Sequence, residues 1–268
     1  MSIDPLLPFN PGQYWEERLR QHWGLQGAGR LRFGDAYNRW AYRIQRHVFL
    51  RTLRRTGVDF RQARVLDIGT GVGFYVDRWR ELGAARITGV DITKVATEAM
   101  RRKYPDQEFY QLDISGDPDP LAGHTFDGIS AIAVLFHIVD DARYAQALRN
   151  IFGLLRRGGL FIFSEGLLHH PAARAAHVVY RPLQEIEGLL AATGFQSVAR
   201  VPLHFFMSYP DDTGSRLAQR LSQVLGMILS LHNSCGFLIG AGLYPIERLA
   251  VSLAHESPTV ELMVCRKP

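Results

Sequence analysis

Three glycines at alternate positions, in Asp67-Ile68-Gly69-Thr70-Gly71-Val72-Gly73, are the residues in this chain best suited to holding a small ligand. Glycine lets backbone approach a ligand with no Cβ in the way. The residues that follow, Phe74 to Leu82, predict a helix, and the first N–H groups of a helix have no internal partner. Ahead of the glycines, Val65, Leu66 and Ile68 predict a buried parallel strand. The spacing departs from the G-x-G-x-x-G of a dinucleotide fingerprint. An acid at the end of the strand suits a ligand carrying an ammonium group, whereas a pyrophosphate would be repelled. A strand–helix turn with no ligand is the competing reading. Two more acids stand at expected strand ends: Asp91, in Gly89-Val90-Asp91-Ile92-Thr93, and Asp113, in Phe109-Tyr110-Gln111-Leu112-Asp113-Ile114. In an open α/β sheet, a carboxylate at the end of the second strand can grip ribose hydroxyls.

These residues need a sheet to bring them together. From Arg64 to Glu165, apolar strand-like runs alternate with helical ones, which predicts a parallel sheet with helices on both faces and ligands at the carboxyl ends of the strands. Phe126 to Ile138 reads as a fourth strand and its following helix, and Leu154 to Glu165 as a turn and a fifth strand.

In this order, the five segments resemble the motifs of the class I S-adenosylmethionine (SAM) methyltransferases of small-molecule type. The resemblance covers Gln62 to Glu165 well, and Arg181 to Phe206 and Thr259 to Lys267 more weakly. It implies an α/β fold: a doubly wound, seven-stranded, mostly parallel, Rossmann-like sheet with an antiparallel last strand at Thr259 to Cys265. An N-terminal helical cap (1–60) and a helical insertion (208–256) would flank a core made of 61–207 and 257–268. It implies SAM as cofactor. Gly69, Thr70 and Gly71 would hold the methionine end, with Asp67 near the ammonium. Asp91, with Ile92, would take the ribose, and Asp113 with Ile114 the adenine. Ala131 to Ala133 would border the sulfur.

Methyl transfer from a sulfonium is an in-line displacement with a neutral leaving group, so it needs positioning and exclusion of water rather than a metal. If the acceptor must lose a proton, His137, just past the fourth strand, and Glu165, at the end of the fifth, are the candidate bases. Packing or a structural acid is the plainer role for each. On the substrate side stand Tyr37, in a segment (Tyr37-Asn38-Arg39-Trp40) that resembles a lid, with His169 and His170; His204 ranks lower. No Asn/Asp-Pro-Pro-Tyr follows the fourth strand, and no cysteine lies there to attack a pyrimidine. Asp140-Asp141 could suggest magnesium, but helix capping explains them.

At 268 residues and a formal charge of +5, the chain is one large domain or one domain with additions, and its basic excess is modest. Arg39, Arg43, Arg46, Arg51, Arg54 and Arg55 mark either a solvated helix face or a site for phosphate or carboxylate. Cys235 and Cys265 fit neither a disulfide framework nor a zinc site, and Met1 to Gln13, which opens with an irregular arm at Met1 to Pro11, is unlike a signal peptide; both suggest a cytoplasmic protein. Val224 to Leu243 is long enough to span a membrane, yet His232-Asn233-Ser234-Cys235-Gly236 interrupts it. We read two helices, 211–231 and 238–253, joined by a turn: a lid, a dimer interface, a surface docked on lipid, or a plain packed pair. The expectation is a SAM-dependent methyltransferase of a small-molecule acceptor, anionic or lipophilic, from natural-product, sugar or lipid biosynthesis, with no nucleic-acid partner and no transmembrane span. O-methylation comes first. C-methylation of an anionic isoprenoid-like acceptor, a SAM-binding protein without catalysis, and an RNA methyltransferase are the alternatives.

Overall fold

The computed structural model describes residues 9–210, 212 and 215–268; the expected irregular arm falls largely outside these, at 1–8. The chain opens with helices α1 (Pro11–Gln21), α2 (Leu25–Ala28) and α3 (Gly34–Arg55). Asn10 caps α1 by accepting from the Gln13 amide at 3.0 Å, and proline at the first helical position costs no hydrogen bond. Then follow β1 (Arg64–Ile68), α4 (Phe74–Glu81), β2 (Arg86–Asp91), α5 (Lys94–Lys103), β3 (Glu108–Gln111), β4 (Phe126–Ala131), α6 (Asp141–Leu154) and β5 (Leu155–Glu165). The remainder comprises β6 (Ala173–Ala175), β7 (Val178–Tyr180), α7 (Leu183–Thr193), β8 (Gln196–Pro202), α8 (Arg216–Leu231), α9 (Asn233–Leu253) and β9 (Glu261–Arg266).

Seven strands form one sheet in the order β3-β2-β1-β4-β5-β9-β8, in which β1 to β5 run parallel and β9 lies antiparallel between β5 and β8. This is the doubly wound, Rossmann-like sheet expected. Both faces are covered, so alternate residues of a strand enter different cores. Val65, Leu160 and Ile162 pack with Ile44, Val48, Phe49 and Trp79 under α3 and α4. Leu66, Phe161 and Phe163 pack with Tyr144, Leu148 and Ile151 of α6. That is why these strands read as continuous apolar runs. The strand order reverses between β1 and β4, and a ligand crevice is expected at such a switch point.

Several local expectations change. No helix directly follows β4: Leu135–His137 forms one 3-10 turn, and the helix begins only at Asp141. Asp140 caps it, accepting from the Arg143 amide at 2.8 Å, as the capping reading required. The stretch after Glu165 contains the β6–β7 hairpin. β8 ends at Pro202, short of Phe206; proline has no N–H to extend a ladder. The two expected helices near the C-terminus are present as α8 and α9; α8 starts at Arg216 (211, 213 and 214 lie outside the described residues), and α9 starts at Asn233 rather than 238, so the turn between them is narrow. His232 caps α9 by accepting from the Ser234 amide, so the polar residues Asn233 and Ser234 lie inside the first turn of α9. By length and composition α9 could cross a membrane, with a mean hydropathy of 1.2 over a window that is 22% buried. In the fold, it packs along α3.

Candidate active site

The glycine turn sits at the carboxyl end of β1, at the switch point. Gly69, Gly71 and Gly73 all have left-handed backbone, with φ of +71°, +51° and +80°. A Cβ on Gly69 would lie 2.3 Å from Val134 Cγ2, so this glycine lets the turn touch the segment after β4. A Cβ on Gly71 would meet nothing nearer than Ala28 Cβ at 3.7 Å, so that side of the turn faces open space. The turn is tied to β2: the Gly69 amide donates to the Val90 carbonyl at 2.7 Å, and the Gly71 amide to Asp91 Oδ2 at 2.8 Å.

The open space is a cavity of about 780 Å³. Gly69, Thr70, Gly71, Asp91, Ile92, Asp113, Ile114 and Ala133, eight of the expected cofactor residues, line it. Asp67 and Ala131 sit just behind the lining, 2% and 0% exposed. Asp91 accepts from the Thr93 amide and hydroxyl at 2.9 and 2.7 Å through Oδ1. Burial raises its pKa despite those bonds. Asp113 accepts from Ser115 through Oδ1 and pairs with Arg143 through Oδ2 at 2.7 Å. Asp67 accepts from the Ser130 hydroxyl at 2.6 Å, and that hydroxyl accepts from Trp79 Nε1 at 2.8 Å. Burial lifts Asp67 to about 7, against the Ser130 hydrogen bond and with the help of Asp91's charge. A buried acid with so little compensation suits a ligand that brings a cation. Ala133 has φ of +58°, and its amide donates to Ser164 Oγ at 2.8 Å, so a non-glycine residue holds an uncommon conformation at the cavity wall.

Helices α1 to α3 roof the cavity. Trp15 of α1 stands edge-on to His137, with ring centroids 4.9 Å apart, and His177 of the β6–β7 turn stacks beyond it at 6.2 Å. Arg18 straps this roof by donating to the Gly27 and Gly29 carbonyls and to Tyr14 Oη, with its guanidinium 4.6 Å from the Trp15 ring centre. From α3, Tyr42 and Gln45 reach the cavity, and Gln45 accepts from Tyr75 Oη at 2.9 Å.

His137 lines the cavity. Its Nδ1 lies 2.8 Å from the His177 carbonyl, which can only accept, so Nδ1 carries the proton and Nε2 keeps its lone pair. Burial lowers its pKa to about 4, outweighing that hydrogen bond, so the ring is neutral at physiological pH. Glu165 is placed otherwise. Adjacent residues of a strand face opposite ways, and Ser164 takes the cavity side. The Glu165 carboxyl enters the core beneath α6, where Tyr144 Oη donates to it at 3.2 Å, and burial raises its pKa to about 8. It is therefore no base for an acceptor in this cavity. Tyr37 also lies elsewhere: it is 1% exposed and packs edge-on to Phe33 at 5.3 Å, with Gly236 of α9 against its backbone. His169 and His170 are on the surface with Asp212, away from the cavity; His169 Nδ1 is 2.5 Å from Asp212 Oδ2. None of the six α3 arginines lines the cavity. Arg39 and Arg46 pair with Asp35 and Glu81, which favours the helix-face reading for them.

Sequence reasoning did not single out Arg18, Tyr42, Gln45, Ser164, His177 or Tyr209, all of which line the cavity. For Tyr42 and Gln45, three residues apart on α3, helical period was the available signal. For the others, only the chain's return across the sheet brings them in.

A profile of the family described as a methyltransferase domain matches residues 66–163. Residues 66–163 therefore form a SAM-dependent methyltransferase domain. The cofactor of such a domain is SAM, and the cradle fits it: a glycine turn open at Gly71, the buried Asp67 behind that turn, and acids at the ends of β2 and β3. The chain is 26% identical over 224 residues to the O-methyltransferase cnsE of Penicillium expansum, covering 74% of this chain and 78% of that one. It is 25% identical over 138 residues to a demethylmenaquinone methyltransferase of Chlorobaculum parvum, covering 50% of this chain and 55% of that one. A tRNA U34 carboxymethyltransferase of Pseudomonas syringae pv. syringae is 32% identical, over only 35% of this chain and 30% of its own length. Among solved structures, magnesium protoporphyrin IX methyltransferase from Synechocystis shares the fold, with a TM-score of 0.57 and 12% identity, covering 99% of this chain and 100% of that one.

Proposed function

We propose that this methyltransferase transfers the SAM methyl group to an oxygen of a lipophilic, ring-bearing small molecule of phenol or quinol type. The observation that carries the reading is the division of the cavity. One side is the glycine turn with Asp91 and Asp113. The other is aromatic and aliphatic, formed by Tyr14, Trp15, Phe33, Phe136, Leu203 and Tyr209. Apolar walls with few polar groups suit a flat, weakly polar acceptor. His137 lines this space, and its unprotonated Nε2 would take a hydroxyl proton as the methyl is transferred. Helices α1 to α3 cover the cavity, which would limit the access of water to the methyl transfer. The similarity to an O-methyltransferase and to a quinone-pathway methyltransferase supports this acceptor class. C-methylation of an anionic isoprenoid-like acceptor is less favoured, because Glu165 and the α3 arginines lie outside the cavity. The test is calorimetry with SAM and S-adenosylhomocysteine, then a panel of phenols, quinols, sugars and isoprenoid diphosphates, followed by homocysteine release. Turnover confined to phenols or quinols is expected. Turnover only on diphosphates or sugars would overturn the acceptor class.

A further inference from the structure

The outer surface of α8 and α9 has no role in the chemistry above. On α8, Leu217, Leu221, Val224 and Ile228 recur every three to four residues and are 68%, 62%, 47% and 40% exposed. On α9, Leu238, Ile246, Leu249 and Leu253 form a second stripe, 55% to 70% exposed. A soluble surface rarely leaves so many large apolar side chains uncovered together. The exposed charges of the two helices themselves are of one sign. The segment 216–231 contains no acid, and the single acid of α9, Glu247, is fully buried. Arg220 and Arg248 are exposed next to Leu221 and Leu249. Arg51, Arg55 and Arg248 gather around His47 where α3 meets α9; burial and then these three cations hold that histidine below its ordinary pKa. Among the described residues, no carboxylate pairs with Arg43, Arg54, Arg55, Arg220 or Arg248.

We infer that the α8–α9 face is an interfacial lipid-binding surface, which lays its leucine stripes into an anionic bilayer while the flanking arginines meet lipid phosphates. Helices of this kind lie in the plane of the interface, with the apolar side sunk below the headgroups and long basic side chains reaching back to them. A second copy of the chain is the poorer occupant, because it would set the same cations against one another. Spanning the bilayer is poorer still, because α9 carries Arg248 and, through Glu247, the Phe205 and Phe206 amides at 2.7 Å each. The surface lies one layer from the acceptor cavity: a Cβ on Gly226 of α8 would be 3.2 Å from Tyr209 and 3.5 Å from Phe33, and both residues line the cavity. A lipophilic acceptor could thus enter from the membrane, but lipid binding by this face does not depend on the acceptor's identity.

The experiment is co-sedimentation of the full chain with vesicles of phosphatidylcholine alone and of phosphatidylcholine with phosphatidylglycerol, at low and high salt. Binding to the anionic vesicles is expected, with weaker binding to neutral ones and at high salt. The double variant Leu221→Asp/Leu249→Asp should lower the partition coefficient at least about tenfold on both. Arg220→Ala/Arg248→Ala should lower it by about fivefold or more on anionic vesicles alone. SAM calorimetry on the same samples should be unchanged, which separates a failure here from a failure of the methyltransferase reading. Absence of binding to either vesicle would overturn the inference. So would equal binding by the Leu→Asp variant, or a wild-type dimer in light scattering that this variant converts to monomer.

Discussion

Asp67→Asn should stabilise the ligand-free protein and impair it as a SAM binder. Asn has nearly the same shape and can still accept from Ser130, so packing is preserved. It removes a carboxylate that burial has lifted from 3.8 to about 7. For an acid with a raised folded-state pKa, the native state holds the proton more tightly than the unfolded chain. The cost is therefore absent below about pH 4, grows as the pH rises and is complete above about 7. A displacement of this size corresponds to about 4 kcal/mol at pH 8, an upper bound since relaxation and water reduce it, and under about 2 kcal/mol at pH 5. In denaturant titrations, Asp67→Asn should thus gain stability at pH 8 and much less at pH 5. Binding runs the other way. A ligand ammonium needs the carboxylate, so wild-type affinity should fall nearly a hundredfold from pH 8 to pH 5, at about tenfold per pH unit below 7. The variant should bind weakly throughout, with a flat profile. Calorimetry in buffers of different ionisation enthalpy would show proton release by the wild type near pH 7 and its loss in the variant. An Asp67→Asn protein that is less stable at pH 8, or that binds SAM like the wild type, would refute both the buried-acid argument and its assignment to the ammonium.

Gly71→Arg should abolish SAM binding while the protein stays folded, because the new side chain has open cavity ahead of it; unchanged affinity in calorimetry would overturn the role of the turn. Gly69→Ala should destabilise the fold by about 1–3 kcal/mol, since φ is +71° and the new Cβ meets Val134; denaturant midpoints would show it. Glu247→Ala should cost about 1–3 kcal/mol in the same assay, leaving the partly buried Phe205 and Phe206 amides without their carboxylate and His204 without the carboxylate 3.4 Å from its Nδ1. With an acceptor in hand, the rate should show no inflection from His137 between pH 5 and 8, because its ring is already neutral above about 4.

The cofactor half of the site was legible in the sequence because its geometry is local. A strand, a glycine turn and a helix fix Gly69 to Gly71 within a few residues of each other. Asp91 and Asp113 mark strand ends, and the right-handed crossover rule brings those ends to one edge of the sheet. The same period-2 logic that defines strands, applied to β5, decides against Glu165: Ser164 faces the cavity and Glu165 the α6 core. That parity depends on which face the neighbouring strands bury, and a strand buried on both sides gives no alternation from which to read it.

The acceptor half depended on tertiary structure. Tyr37 and Tyr42 stand on one helix, and only the packing of α3 decides that Tyr37 buries against α9 while Tyr42 lines the cavity. His169 and His170 follow the β5 end in sequence, yet the chain carries them outward to Asp212, and His177 of the next hairpin is the one brought back beside His137. Composition and period determined the sheet, its order of elements and the place of the glycine turn with its strand-end acids, because each rests on backbone spacing. Which side chains meet across the cavity was settled by contacts between segments far apart in sequence, where no short-range spacing applies.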